Sequence, residues 1–275
     1  MRPVKLAIAG CGIVTEEYHL PAALGSRHVQ VAALVDRNAD RARLLMRTFG
    51  CDARLASSLD AVGDDVEGVI VATPNDTHAE VAGAALDRGL PVLIEKPVAT
   101  TYRAAAELCQ LARRRNTFIS VGFMTRHFPV VALVKNLITT GFLGRLERFH
   151  FEYGTRGGWA PVSGYNLDRA RSGGGVLVVS GTHFIDRMLF WFGYPRRFRY
   201  FDDSYGGVEA NCKADLEFDG PLTGTLFFSK TMALRNALYL ETDRYRVELP
   251  WGEAQQLTHA PTFLKVVPFA PTSER

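Results

Sequence analysis

The sequence predicts an α/β protein in two parts: a doubly wound parallel sheet over residues 1–122, then an α+β domain with a mostly antiparallel sheet over residues 123–275. Three observations predict it. Short, almost wholly apolar runs alternate with helical patterns through the first part, as strands buried on both faces and crossed over by helices require. After residue 123 the texture changes, and strand-like runs follow one another with turn residues but no helix between them, the mark of antiparallel pairing. Finally, a Gly-x-Gly pair stands where the first apolar run gives way to the first helical pattern, the place of a phosphate-binding turn in such a sheet.

Five apolar runs make the predicted parallel strands: VKLAIAG (4–10), VQVAALVD (29–36), GVIVAT (68–73), PVLIE (91–95) and FISVGF (118–123). Helical patterns fill the gaps at roughly 13–25, 39–49, 77–88 and 101–115. Right-handed crossovers then give the doubly wound order. In the second part a helix is expected near 129–140, followed by RLERFHFEYG (145–154), which alternates like an exposed strand, and a glycine-led helix over 173–192. Five further strands are read from FRYFDDSY, VEANCKADLEF, LTGTLFFSK, NALYLET and YRVELP, with Asp219-Gly220-Pro221 as one of the turns.

Composition narrows the function classes. The chain has 275 residues, 47% hydrophobic and 22% charged, enough for a sizeable core without disulfides or a structural metal. Net charge is only +3, and the densest basic cluster, Arg113-Arg114-Arg115, falls at a predicted helix end, where it complements the helix dipole; no aromatic residues interleave to stack bases, so no nucleic-acid partner is expected. Cys11, Cys51, Cys109 and Cys212 lack the spacing of a zinc site or redox pair, and reduced thiols in a cytoplasmic protein are the plain reading. No apolar run reaches membrane-spanning length, and no metal site is implied.

The first strand opens into GCGIVTEEYHLPAAL. Gly10 permits a tight turn, and Gly12 lets the backbone before Ile13 and Val14 approach a pyrophosphate at the helix N-terminus. The third glycine of the dinucleotide fingerprint is replaced by Thr15. Asp36, closing the second strand, stands where a carboxylate accepts from ribose hydroxyls and repels a 2′-phosphate, whereas the adjacent Arg37 can pair with one. NAD(H) or NADP(H) is therefore expected, with NAD favoured. Arg126 follows the fifth strand at the edge where open α/β sheets bind ligands and is read as a cofactor contact.

The stretch VATPNDTHAEVAGAALDRGLPVLIEKPVATT (71–101), with Thr73-Pro74-Asn75, His78 and Glu95-Lys96-Pro97, resembles the Gfo/Idh/MocA family of glucose–fructose oxidoreductase and inositol dehydrogenase-like enzymes. GCG…YHLP, VGFMTRHFP (121–129) and GGGVLVVSGTHFID (173–186) resemble the same family in the same order, so the likeness runs from residue 4 to about 249. It implies an NAD(P)-dependent dehydrogenase or reductase acting on a hydroxyl or keto carbon of a sugar, cyclitol or sugar nucleotide. It also implies a second-domain sheet that forms homo-oligomers. Thr73, Pro74, Asn75, His78, Glu95 and Lys96 would then line the cofactor, with Lys96-Pro97 in cis. Alcohol oxidation needs a proton acceptor near neutral pH and a cation on the oxygen; by resemblance His183 is the acid/base and Lys96 orients the substrate hydroxyl. Without the resemblance, His183 reads more readily as a hydrogen-bonded core histidine than as a catalytic base. Arg156 and Trp159, in YGTRGGWAP ahead of the helix, are candidate substrate contacts.

Two departures stand out. The family places an aspartate four residues before the histidine, one helical turn away, and this chain has Val179. Asp186 follows His183 by three residues and reads as structural; Tyr165 is a candidate substitute proton donor. Beyond Pro250 only 25 residues follow, with Pro261, Pro268 and Pro271 against a long helix, so the C-terminus reads as unusually short, by nature or because the chain is a fragment. Both departures leave a second reading open, a non-catalytic dinucleotide-binding sensor or scaffold.

Overall fold

The computed structural model describes residues 2–157, 164–204, 207–250 and 264–269. The chain divides into two compact units: residues 1–122 with 170–173, and residues 123–169 with 174–275. The short 170–173 segment thus belongs with the first unit, although the sequence reading placed it in the second half.

In the first unit, six parallel strands stand in the order β3-β2-β1-β4-β5-β6. They are β1 (Val4–Ala9), β2 (Val29–Val35), β3 (Arg54–Ala56), β4 (Gly68–Val71), β5 (Val92–Ile94) and β6 (Ile119–Val121). The helices α1 (Leu20–Leu24), α2 (Ala39–Phe49), α3 (His78–Asp87) and α4 (Tyr102–Arg114) cross between them. Alternation along each strand builds two cores. Ala7, Ala9, Val69 and Val71 face Ala82, Leu86 and Leu108 of α3 and α4, whereas Ile8, Leu34 and Ile70 face Leu20, Ala42 and Leu45 of α1 and α2. Local chemistry fixes the helix ends. Asn38 caps α2 by accepting from Asp40 N at 3.1 Å and Arg41 N at 3.2 Å, and Gly50 ends it in the left-handed conformation with φ 61°. Strand β3 is not among the sequence expectations: three residues are too few to show a period.

In the second unit, α5 (Pro129–Thr139), α6 (Arg169–Ser172, shared with the first unit) and α7 (Thr182–Phe192) accompany one seven-stranded sheet. Its strands are β7 (Leu146–Gly154), β8 (Arg197–Asp202), β9 (Asn211–Glu217), β10 (Thr223–Ser229), β11 (Ala237–Thr242), β12 (Tyr245–Pro250) and β13 (Lys265–Pro268), in the order β13-β12-β11-β7-β10-β9-β8. Pairing is antiparallel except between β7 and β10. The exposed strand expected at 145–154 is instead central, because Phe149 and Phe151 are buried under α7 against Phe184, Met188 and Trp191, while His150 and Glu152 take the other face. A Cβ at Gly224, the β10 partner of Phe149, would overlap the Phe149 ring, so the glycine makes room for the aromatic. Trp191 Nε1 donates to Val131 O at 3.0 Å and ties α7 to α5.

Candidate active site

The first unit assembles a phosphate loop at the carboxyl edge of its sheet, where strand order reverses between β1 and β4. Gly10 has φ 95°, and a Cβ there would overlap the Ala72 carbonyl and approach Thr73 N to 2.8 Å, so only glycine fits. A Cβ at Gly12 would meet nothing within 4 Å: this glycine answers to no protein neighbour, and the open space beside it is what a pyrophosphate cradle requires. Ile13 and Val14 are exposed where the helical turn begins. Thr15, in place of the third glycine, is buried and donates through Oγ1 to Gly10 O at 2.6 Å. One turn of π-helix follows, Thr15–His19, a geometry often found at functional sites.

The Asp36 carboxylate is aimed by two backbone amides, Cys11 N to Oδ2 and Asn38 N to Oδ1, both at 2.7 Å. Arg37 is exposed with its guanidinium 3.9 Å from Glu80. Arg41, unremarked in the sequence, donates to Cys11 O at 2.8 Å and pairs with Glu16, so it braces the loop from below. Burial, with Asp36 close by, pushes the Cys11 thiol up to about 12, which makes it an inert packing group.

Further along the same edge, Thr73 and Pro74 follow β4, and the Thr73 hydroxyl is buried with no hydrogen-bond partner among the described residues. This orphaned group and the open Gly12 loop fit a dinucleotide laid along the edge. Three residues expected at the cofactor also have protein partners. Asn75 is buried and donates to Ser172 O at 2.9 Å, which, with the Arg171–Asp76 pair at 3.1 Å, fastens segment 170–173 to this unit. His78 is 1% exposed, and its ring nitrogens lie 2.7 Å from Pro97 O and 2.8 Å from Thr73 O. Glu95 pairs through Oε1 with His19 Nε2 at 2.9 Å and accepts from Lys96 N at 3.2 Å. Burial opposes the Glu95 charge, but the His19 hydrogen bond and the charges of His19 and Lys96 outweigh it and hold the carboxyl below its ordinary range. Lys96 itself is half-buried, and the Lys96–Pro97 bond is cis.

In the second unit, His183 lies in the first turn of α7, half-buried, with its Nδ1 atom inside and the Phe123 ring edge-on at 6.4 Å. The segment before it, Leu177–Gly181, is a π-helical turn. Val179 sits within that turn, so its relation to His183 departs from the one-turn α-helical register expected from spacing. Glu209 explains the glycines that lead in: its carboxylate accepts from Gly175 N at 2.7 Å and Leu177 N at 3.0 Å, its carbonyl accepts from Val176 N at 2.9 Å, and a Cβ on Gly175 would overlap that carbonyl. Nothing local in the sequence marks Glu209, 34 residues downstream of Gly175, as the cap.

Arg126, read as a cofactor contact, forms a two-pronged bridge with the buried Asp186, Nε to Oδ2 at 2.7 Å and Nη2 to Oδ1 at 2.6 Å, beneath the Phe190 ring. The Asp186 hydrogen bond raises the Arg126 pKa. Next to Asp186, Arg187 is fully buried over the Phe184 and Trp191 rings, and burial lowers its pKa to about 9. Tyr165 opens a short 3-10 turn and is half-buried, Arg156 is exposed after β7, and Trp159 lies outside the described residues. Among the described residues no group of His, Cys, Asp or Glu is placed to hold a metal ion, and no helix is long and apolar enough to cross a membrane.

A parallel α/β unit with a Gly-x-Gly loop at its switch point, followed by a unit built on one large, mostly antiparallel sheet, defines a two-domain dinucleotide-binding class of protein. Comparison gives the family. Residues 4–123 match the oxidoreductase family with NAD-binding Rossmann fold, and residues 131–249 match the GFO/IDH/MocA C-terminal domain; the chain belongs to the Gfo/Idh/MocA oxidoreductase family. It is 30% identical over 183 residues to a dTDP-3,4-didehydro-2,6-dideoxy-alpha-D-glucose 3-reductase of Saccharopolyspora spinosa, covering 66% of this chain and 54% of that protein. It is 29% identical over 197 residues to the D-glucoside 3-dehydrogenase of Escherichia coli, covering 70% and 55%. Among solved structures, a 3-ketoreductase of Actinomadura kijaniata with NADP and TDP-benzene shares the fold at a TM-score of 0.81 and 23% identity, over 97% of this chain and 85% of that one. The chain spans about half the length of the curated relatives it matches.

Proposed function

We propose that this protein is an NAD(P)-dependent oxidoreductase that transfers a hydride between nicotinamide and a ring carbon of a sugar, cyclitol or sugar nucleotide, carbon 3 of a hexose being the favoured position. The observation that carries the reading is Lys96: an ammonium-bearing residue on the cis turn after β5, at the same sheet edge as the Gly10–Gly12 loop. The relatives support the position, since both curated enzymes and the solved ketoreductase are named for chemistry at carbon 3. Nothing in the comparisons supports the non-catalytic reading.

When bound, the dinucleotide supplies or accepts the hydride. The protein's part is positional and protonic. Backbone amides at Gly12, Ile13 and Val14 hold the pyrophosphate, with the Thr73 hydroxyl and Pro74 beside it. Asp36, fixed by two amides, receives the ribose hydroxyls, which favours NAD(H) over NADP(H) despite Arg37. Lys96 holds the substrate oxygen and stabilises its developing negative charge. His183 takes the hydroxyl proton in oxidation and returns it in reduction. With valine at 179 and Asp186 bound to Arg126, Tyr165 is the proposed proton partner of His183. Arg156 and Trp159 are substrate contacts in this reading. The polar face of the second sheet, carrying His150, Glu152 and Tyr239, is the proposed homo-oligomer surface.

The test mixes purified protein with NADH or NADPH and a panel of 3-keto pyranosides, nucleotide-linked keto sugars and inososes, following nicotinamide absorbance. Turnover is expected on at least one, with His183→Ala removing most of it while NAD(H) affinity holds. Cofactor binding without turnover on any member, or an active His183→Ala variant, would overturn the assignment.

A further inference from the structure

The turn that carries Lys96 is gripped on both sides by histidines that the hydride-transfer scheme does not use. On the upstream side Glu95 reaches His19 Nε2 with Oε1 at 2.9 Å, while Oε2 accepts from Lys96 N at 3.2 Å. A Cβ at Gly122 would lie 3.0 Å from the same carboxylate, so the glycine after β6 leaves Glu95 its place. On the downstream side His78 is buried, with Nδ1 2.7 Å from Pro97 O and Nε2 2.8 Å from Thr73 O. Carbonyl oxygens only accept and a neutral imidazole carries one N–H, so the ring donates to one of the two carbonyls, which its tautomer selects. His19 comes from the π-turn after the phosphate loop, and His78 from the first turn of α3 after the Thr73–Pro74 segment.

We propose that His19 and His78 are positioning residues for Lys96: His19 through the Glu95 carboxylate and His78 through the Pro97 carbonyl, together coupling the ammonium to the two loops that hold the cofactor. The proposal rests on Lys96 orienting the substrate oxygen, as above. Its physical content is that a lysine side chain has many rotamers but its root does not move if the peptide bonds on both sides are tied. Displacing such a root by about an ångström costs on the order of 100-fold in turnover.

The chain has only six lysines, so reductive 13C-methylation gives a spectrum in which the Lys96 signal can be assigned by Lys96→Arg. That readout needs no substrate. In His78→Ala and His19→Leu the Lys96 resonance is expected to shift, and kcat at saturating NAD(H) to fall on the order of 10- to 100-fold. His78→Gln and His19→Gln, which keep a donor, should recover part of both effects. A Lys96 resonance and a kcat unchanged in folded His78→Ala and His19→Leu would overturn the proposal. Should His78→Ala not fold, the partly exposed His19 carries the test through His19→Leu. Lys96→Met separates the two claims: retained turnover there refutes the catalytic role of Lys96, while the methyl-lysine spectrum still decides whether the histidines position it.

Discussion

Arg126 offers the sharpest test of how this fold uses its charges. Asp186 is 4% exposed in its side chain, and Arg126, bound to it by two short hydrogen bonds, is 44% exposed. The two ends of one ion pair therefore differ in what they cost when abandoned. Arg126→Met strands a carboxylate inside the second unit, which for a buried pair costs about 3–5 kcal/mol; with water able to follow the vacated half-exposed path, about 3 kcal/mol is the expected loss. The contact over Phe190 adds roughly 0.5–1 kcal/mol. Asp186→Asn keeps the shape and leaves an arginine that water can reach, so its cost is about 1–2 kcal/mol, near the worth of a charged hydrogen bond. The double variant should be less destabilised than Arg126→Met alone. All three tryptophans, Trp159, Trp191 and Trp251, belong to the second unit, so urea unfolding followed by tryptophan fluorescence reads the relevant transition. Equal costs for the two single variants would refute the burial argument. An Arg126→Met protein of unchanged stability but weakened NAD(H) binding would restore Arg126 to the cofactor.

Two further outcomes follow from the first unit. Gly10→Ala should lower its stability, because the new methyl overlaps the Ala72 carbonyl at a left-handed φ, whereas Gly12→Val should fold normally and lose NAD(H) affinity; titration calorimetry beside circular-dichroism melts separates the two, and intact NAD(H) affinity in Gly12→Val would sink the loop assignment. Asp65, hydrogen-bonded by Arg54 and Lys5, and Glu67, bound by Arg2 and the Lys5 amide, are both held down to about 2. Folded values below the unfolded ones mean stability that is present above about pH 4 and is lost as pH falls toward 2, so Asp65→Asn/Glu67→Gln should flatten the fall in urea midpoint over that window, weakly at high salt; an unchanged acid slope at low salt would count against these pairs.

The fold was legible wherever its signal is local. Burial on both faces shows as continuous apolar runs, and all five expected parallel strands lie close to their sequence positions for that reason, as does the helix at 39–49. It was not legible where neighbours decide: the alternation in RLERFHFEYG is the same for an edge strand and for the central β7, and only the pairing with β10 and β11 distinguishes them. The site shows the same division. The motif marks Asn75, His78, Glu95 and Arg126 as constrained residues and suggests the cofactor as the constraint. The structure also gives each a protein partner: Ser172, Pro97 with Thr73, His19, and Asp186.

The sequence by itself determined the two-part α/β and α+β plan, the Gly10–Gly12 turn with Asp36 opposite it, and the presence of Lys96 and His183, because these follow from period, backbone freedom and residue chemistry within a few positions. The tertiary structure alone decided which charges are used up in bracing and which remain for chemistry. His19 meets Glu95 across 76 residues and Arg126 meets Asp186 across 60, distances in sequence over which no local pattern carries information and strand order and packing bring the partners together.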